Sequence, residues 1–377
     1  MYASTLKPIH MLGANKMDAM EDFQLNVICE RYADENRDEN NTAQVIAPEM
    51  MREIVDAYHR QLKTTLYLAH RGKLYYRDVS PRTPPQTAWI ESDISPRFYE
   101  NFVMAPIGKN GYLFFDGYQT LPSPVMILYK PTNKVIEGAI SRPNHECAKA
   151  VTLQSGAVFQ CGGRIIEDPD EENSRVSNTA FIYGSEGWSS PIQMSDGLFD
   201  HACTLLPDGR VLIVGGFKGT WEESALPTNK CQAFDPSTGE FAHVAPMRFV
   251  RVVHTATTLP DGRVFVCGGF VKDSKGALIG DAICEIYDPL TNNWEPAAPM
   301  IHPRMAHQAC IIYDRPENHT QVDRPVVLVV GGRSSRDGTT YIRQCEAYDI
   351  ENNVWYPAPR FNLNVDISRH AMCSITQ

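Results

Sequence analysis

His201-Ala-Cys-Thr-Leu-Leu-Pro-Asp-Gly-Arg-Val-Leu-Ile-Val-Gly-Gly-Phe-Lys218 and His254-Thr-Ala-Thr-Thr-Leu-Pro-Asp-Gly-Arg-Val-Phe-Val-Cys-Gly-Gly-Phe-Val-Lys272 are one passage written twice, 53 residues apart. Each copy closes an apolar run with a glycine doublet. The doublets recur at Gly162-Gly163, Gly215-Gly216, Gly268-Gly269 and Gly331-Gly332, with spacings of 53, 53 and 63, and a degenerate copy, Asp116-Gly117, lies 46 residues before Gly163. Self-similarity at a period of about 50 residues marks a chain made of one repeated supersecondary unit, each copy burying its apolar faces against its neighbours.

Within the unit, the Leu-Pro-Asp-Gly-Arg segments at 206–210 and 259–263 read as tight turns. Proline pre-sets φ, and glycine takes the positive φ that closes a hairpin. The runs Val211-Leu-Ile-Val214, Val264-Phe-Val-Cys267 and Val326-Val-Leu-Val-Val330 are continuously apolar rather than alternating, the pattern of strands buried on both faces. The doublet that follows suits close backbone packing where no side chain fits. An aromatic with turn residues comes next, at Phe234-Asp-Pro, Tyr287-Asp-Pro and Tyr348-Asp-Ile, with weaker copies at Tyr129-Lys-Pro and Tyr183-Gly. A second aromatic follows at Trp188, Phe241, Trp294 and Trp355, giving each unit a large apolar contact and room for four short strands.

Gly-Gly, an aromatic and then a tryptophan at this spacing resemble the kelch repeat. The resemblance implies an all-β fold: a six-bladed kelch β-propeller closed by a C-terminal strand, with a short, partly helical N-terminal extension. It spans residues 60–377, most strongly from 145 onward, and divides into units at 60–98, 99–141, 142–197, 198–250, 251–303 and 304–361. The tail Ser368-Arg-His-Ala-Met-Cys-Ser-Ile375 repeats the strand that opens each unit, as in Arg304-Met-Ala-His307-Gln-Ala-Cys310. It is expected to complete the first blade and leave no open sheet edge. Residues 1–59 stand apart as an extension: a charged linker from Glu30 to Asn41, then Met50, Met51, Ile54, Val55, Tyr58 and Leu62 at helical spacing. That spacing predicts an amphipathic helix for the propeller rim or for a partner.

Composition narrows the function. Hydrophobic residues at 43% and charged residues at 21% are globular values. Asp+Glu 45 against Lys+Arg 35 gives a net charge of -10 without a basic run, so nucleic acid is not expected as a partner. No leader-like start and no stretch of eighteen apolar residues appear, so neither secretion nor membrane spanning is expected. The 10 cysteines, from Cys29 to Cys373, form no CxxC pair and predict a reducing, cytoplasmic setting without structural zinc.

The cysteines recur at repeat positions, for example Cys161 and Cys267 before the doublet and Cys231, Cys284 and Cys345 before the aromatic. They read as buried small hydrophobes, and no catalytic residue is expected. His145, His201, His254, His307 and His370 each open an inner strand. Converging on the axis they could ligate a metal, but a residue repeated in every blade suits a blade-level role, and no metal or cofactor is expected. By resemblance to kelch proteins that capture acidic peptides, Arg142, Arg251, Arg304 and Arg369 are implied to project into the channel mouth and bind anions. Trp221, an aromatic in a polar loop, joins them as a partner-binding residue. The loops after the doublets would ring one face and supply specificity.

Two kelch enzyme types bear on the reading. Copper radical oxidases similar to galactose oxidase share the Leu-Pro-Asp-Gly-Arg-Val turn but are secreted. Plant specifier proteins hold iron with Glu-x-x-x-Asp-x-x-x-His, from which Asn362, Asp366 and His370 depart at the first ligand. Ubiquitin-ligase adaptors place BTB and BACK domains before the propeller, and 59 leading residues are too few for both. The expectation is a non-enzymatic scaffold or adaptor that binds a protein segment, an acidic one by the same resemblance, through its loop face. A metal-dependent kelch enzyme and a cytoskeletal component are the other readings.

Overall fold

The structure, a computed structural model, describes residues 64–70, 73–79, 88–93, 103–107, 112–116, 126–129, 134–137, 145–165, 174–222, 224–272, 278–314, 324–334, 340–369 and 371–376. The expected linker and helix within 1–59, together with Arg142 and His370, lie outside them. Among the described residues every regular element is a β-strand except one short 3-10 turn, Pro359–Phe361.

The repeat folds into antiparallel sheets. The fourth joins Ala202–Leu205, Val211–Val214, Cys231–Asp235 and Glu240–Val244; the fifth Thr255–Thr258, Val264–Cys267, Cys284–Asp288 and Asn293–Ala297; the sixth Gln308–Asp314, Arg324–Val330, Glu346–Asp349 and Val354–Pro357. The second sheet runs Val103–Ile107, Tyr112–Asp116, Met126–Tyr129, Lys134–Glu137, and the third begins Lys149–Thr152, Val158–Cys161, Thr179–Gly184. The first sheet is assembled from both ends of the repeat region. Thr64–His70 pairs on one side with Lys73–Asp78 and on the other with Ala371–Thr376, setting Leu66 opposite Ser374 and Leu68 opposite Met372. The inner strands Ala371–Thr376, Val103–Ile107, Lys149–Thr152, Ala202–Leu205, Thr255–Thr258 and Gln308–Asp314 neighbour one another in that order, and the last meets the first again.

Local chemistry explains the unit. At the inner hairpin, Leu206 N donates to Arg210 O at 2.7 Å and Gly209, at φ 90°, donates to Leu206 O at 3.0 Å. Asp208 Oδ1 accepts from Arg210 N at 3.0 Å, fixing the turn. The continuous apolar runs are buried on both sides, with no residue of Val211–Val214 or Val264–Cys267 more than 1% exposed. Alternate side chains of one strand serve opposite interfaces. Val211 and Ile213 pack with Phe159 and Cys161 of the third sheet, whereas Leu212 and Val214 pack with Val264 and Val266 of the fifth. Aromatics stitch the same interfaces: Phe159 stacks on Phe234 at 4.6 Å and Phe265 on Tyr348 at 4.4 Å. Trp294 and Trp355 each donate Nε1 to a carbonyl of the preceding sheet, Ala245 and Ala298, both at 2.8 Å. Trp188 meets Tyr183 of its own sheet edge-on at 5.0 Å, and Trp294 meets Tyr287 of its own, tilted, at 5.1 Å.

Candidate functional site at the channel mouth

Two of the arginines expected at the channel mouth are placed inside the sheets. Arg251 is 1% exposed and Arg304 0%. Arg251 donates Nε and Nη2 to Glu285 Oε1, both at 3.0 Å, and Nη1 to the carbonyls of Gly268 at 3.0 Å and Ile283 at 2.8 Å. Arg304 donates Nη2 to Glu346 Oε1 at 2.6 Å and Nη1 to Gly331 O at 2.9 Å. Each guanidinium ties a doublet to the third strand of its own sheet, so neither can meet a partner. Both pairs occupy one repeat register, Arg251 with Glu285 and Arg304 with Glu346. The unit before them carries Leu198 and Gln232 there, an uncharged version of the same position.

The histidines are packing residues too. His201, His254 and His307 are buried, and His307 Nε2 lies 3.1 Å from Thr255 Oγ1. Burial pushes His201 and His307 down to about 3, and burial with the nearby Arg251 charge lowers His254 well below its ordinary value. His145 is not their counterpart. It belongs to a short strand paired with Arg164–Ile165, and Ala148 takes the place of His201, its Cβ lying beside Gly163 as that of His201 lies beside Gly216. Among the described residues no group of three His, Cys, Asp or Glu is placed to hold a metal. Asn362 Oδ1 accepts from Cys345 N at 2.7 Å, and Asp366 binds Arg343 at 2.7 Å and 3.0 Å, so both are engaged within the fold. Eight of the described cysteines are free thiols, and burial pushes Cys231, Cys310 and Cys345 up to about 12. Such thiols stay protonated at neutral pH.

The repeat brings a different set of side chains to the axis. Cys147, Asp200, Val253, Ala306 and Arg369 share one register and a left-handed backbone, with φ between 50° and 56°. That conformation is uncommon for non-glycine residues and persists where surrounding structure enforces it. Here it lets each amide reach the carbonyl of the preceding unit. Asp200 N donates to Cys147 O at 3.3 Å, Val253 N to Asp200 O at 2.8 Å, Ala306 N to Val253 O and Arg369 N to Ala306 O, both at 3.0 Å. This backbone belt lines the axial channel.

Above the belt opens a cup of about 230 Å³, lined by Arg164, Phe199, Asp200, Phe217, Glu222, Val253, Phe270, Met305, Arg333 and Arg369. Its organising residues are those directly after each doublet: Arg164, Phe217, Phe270 and Arg333. Phe199 stacks on Phe217 at 4.9 Å, and Phe217 meets Phe270 at 5.7 Å. Arg164 covers the Phe199 ring at 5.6 Å, binds Glu146 at 2.5 Å and also pairs with Glu222. Burial works against its charge, yet Cys147, Glu146, Glu222 and Asp200 hold its pKa above the ordinary arginine value. Asp200, 3.9 Å from Arg369, likewise raises Arg369.

Of the expected partner-binding residues, Arg369 is thus at the mouth. Trp221, 45% exposed, lines a separate groove of about 520 Å³ with Arg175, Asn178, Asp196, Lys218 and Thr220. Glu222 and Trp221 alternate along one extended segment that pairs with Ser174–Val176, so cup and groove share a wall. Arg164 and Arg333 were missed by sequence reasoning. Their signal was present: the position after the doublet reads Arg, Phe, Phe, Arg around the ring.

The kelch motif model matches residues 251–301 and 321–362. The chain is 24% identical to Kelch-like protein 23 of Mus musculus over 63% of this chain and 46% of that protein. It is 31% identical to galactose oxidase of Gibberella zeae over 39% of this chain and 22% of the oxidase. The solved structure of YjhT superposes with a TM-score of 0.53 at 13% identity, covering 72% of this chain and 86% of that one, a likeness of fold. The chain spans less than half the length of these curated relatives. Repeated antiparallel sheets, four of them ending the second strand in a glycine doublet, define a β-propeller of repeats. The chain carries the kelch motif in two of its repeats and is similar to kelch-like proteins.

Proposed function

We propose that the protein is a non-enzymatic adaptor or scaffold that holds a segment of a partner protein in the cup, with a carboxylate of that segment against Arg333 and Arg369. The observation that carries this reading is the convergence of Arg164, Arg333 and Arg369, from distant parts of the chain, on one concave surface floored by Phe199, Phe270 and Met305. A guanidinium presents five donors in a planar fork, which matches a carboxylate and retains capacity after one pairing. The belt beneath fixes the backbone from which Arg369 rises, so little ordering of that residue remains to be lost on binding. Free cysteines fit a reducing, cytoplasmic setting.

The test is a pull-down from native extract with the intact protein and with Arg333→Gln/Arg369→Gln, partners being identified by mass spectrometry. The expected result is a discrete partner set lost from the double variant while its melting temperature holds. A partner set that persists unchanged rejects the cup. Elemental analysis of the purified protein checks the enzymatic alternative, for which about one copper or iron per chain is required.

A further inference from the structure

We propose that the segment held in the cup carries a basic side chain beside its acidic one, so that the ligand is amphoteric rather than purely acidic; this rests on the reading of the cup as the partner site. Among the described residues the charges at the mouth balance: Arg164, Arg333 and Arg369 are set against Asp200 and Glu222 in the lining and Glu146 beneath Arg164, three against three. Their arrangement alternates in sign: Arg164 is gripped by Glu146 and Glu222, and Asp200 stands 3.9 Å from Arg369.

A ligand bearing carboxylates alone gains at Arg333 and Arg369 but brings like charge up to Asp200 and Glu222, in a cup whose apolar floor weakens screening. A neighbouring ammonium or guanidinium turns that repulsion into attraction. Glu222 is accessible to it, its side chain being 36% exposed. The floor adds to the same preference. The Phe199 ring already lies under Arg164, so the floor is one on which a cation rests against an aromatic face. The net charge of -10 draws a basic group toward the surface from a distance. Discrimination then works through the carboxylates, which repel a uniformly acidic competitor, while the arginines repel a uniformly basic one.

The experiment titrates the full chain with three labelled synthetic peptides of equal length and equal apolar content, carrying Glu-Glu, Lys-Lys or Glu-Lys at their centre, and reads fluorescence anisotropy. The Glu-Lys peptide is expected to bind about tenfold tighter than either other. In Glu222→Gln the Glu-Glu peptide gains and the Lys-Lys peptide loses, with an unchanged melting temperature showing that the fold holds. Glu-Glu binding as tightly as Glu-Lys to the wild-type chain overturns the amphoteric ligand and leaves the cup reading standing. Binding of every peptide unaffected by Arg333→Gln/Arg369→Gln, or no binding at all, overturns the cup reading and this inference with it.

Discussion

The imidazole of His254 rests on the α-carbon of Gly215 in the preceding sheet: a β-carbon at Gly215 would lie 2.7 Å from His254 Cε1 and 2.7 Å from the carbonyl oxygen of Arg251. The contact recurs between Gly162 and His201 at 2.8 Å and between Gly268 and His307 at 2.6 Å. Gly162, Gly215 and Gly268 are thus the floor on which the next unit's histidine sits, and Gly216, Gly269 and Gly332 pack against the Cβ of their own unit's histidine.

Gly215→Ala is therefore expected to destabilise the protein by about 2–4 kcal/mol, combining a steric clash with positive φ. Gly239 is the control: its φ is 75° but nothing lies within 4 Å of an added β-carbon. Gly239→Ala should cost about 1 kcal/mol. Urea midpoints of the two variants test this, and equal losses would remove the histidine contact from the account.

Acid should unfold the protein through these same histidines. His201, His254 and His307 are held neutral in the fold, with His201 and His307 at about 3, while the unfolded chain takes up protons at the ordinary 6.5. The unfolded state binds more protons between those values, so stability is full above 6.5 and falls as pH drops through that window. Each histidine contributes about 1.4 kcal/mol per pH unit well inside it. Urea unfolding at several pH values between 7.5 and 5 measures the slope. His307→Gln should reduce it, and a flat profile would contradict the buried neutral rings.

Arg304→Met should cost about 3–5 kcal/mol by leaving Glu346 buried without its ion. Arg251→Leu/Glu285→Gln, which copies Leu198 and Gln232 of the preceding unit, should recover most of the loss caused by Arg251→Leu alone. A thermal-melting cycle over the single and double variants gives the coupling. If Arg251→Leu instead abolishes partner capture at unchanged stability, the internal role assigned to Arg251 is wrong.

Removal of residues 368–377 takes away the strand Ala371–Thr376 and exposes the Thr64–His70 edge. Unpaired edges invite intermolecular pairing, so the truncated chain is expected to aggregate. Size-exclusion chromatography decides it, since a monomeric truncation with a cooperative melt would show that the pairing is dispensable.

Legibility in the sequence followed the range of the interactions. The turns at 206–210 and 259–263 and the buried runs before the doublets were readable because each is governed by residues within a few positions of one another. The pairing of the tail with Thr64–His70 was readable because the tail repeats a strand seen in other units. The site was read less well. Arg251 and Arg304 stand three residues before a histidine and are buried against glutamates on third strands far along the chain, whereas Arg369 stands one residue before its histidine, in the register of Val253 and Ala306, and reaches the mouth. Trp221 is exposed as expected but faces a groove beside the cup.

The amino-acid sequence by itself determined the period, the four-stranded unit, the turn chemistry and the all-β class, since these depend on local φ preferences and on apolar patterning within each repeat. Tertiary structure alone decided which repeated positions face the axis. Arg164 and Arg333 stand 169 residues apart in the chain and meet in one cup only because the inner strands return on themselves. Their charge balance with Glu146, Asp200 and Glu222 arises from that closure, and long-range geometry of this kind leaves no mark in local sequence.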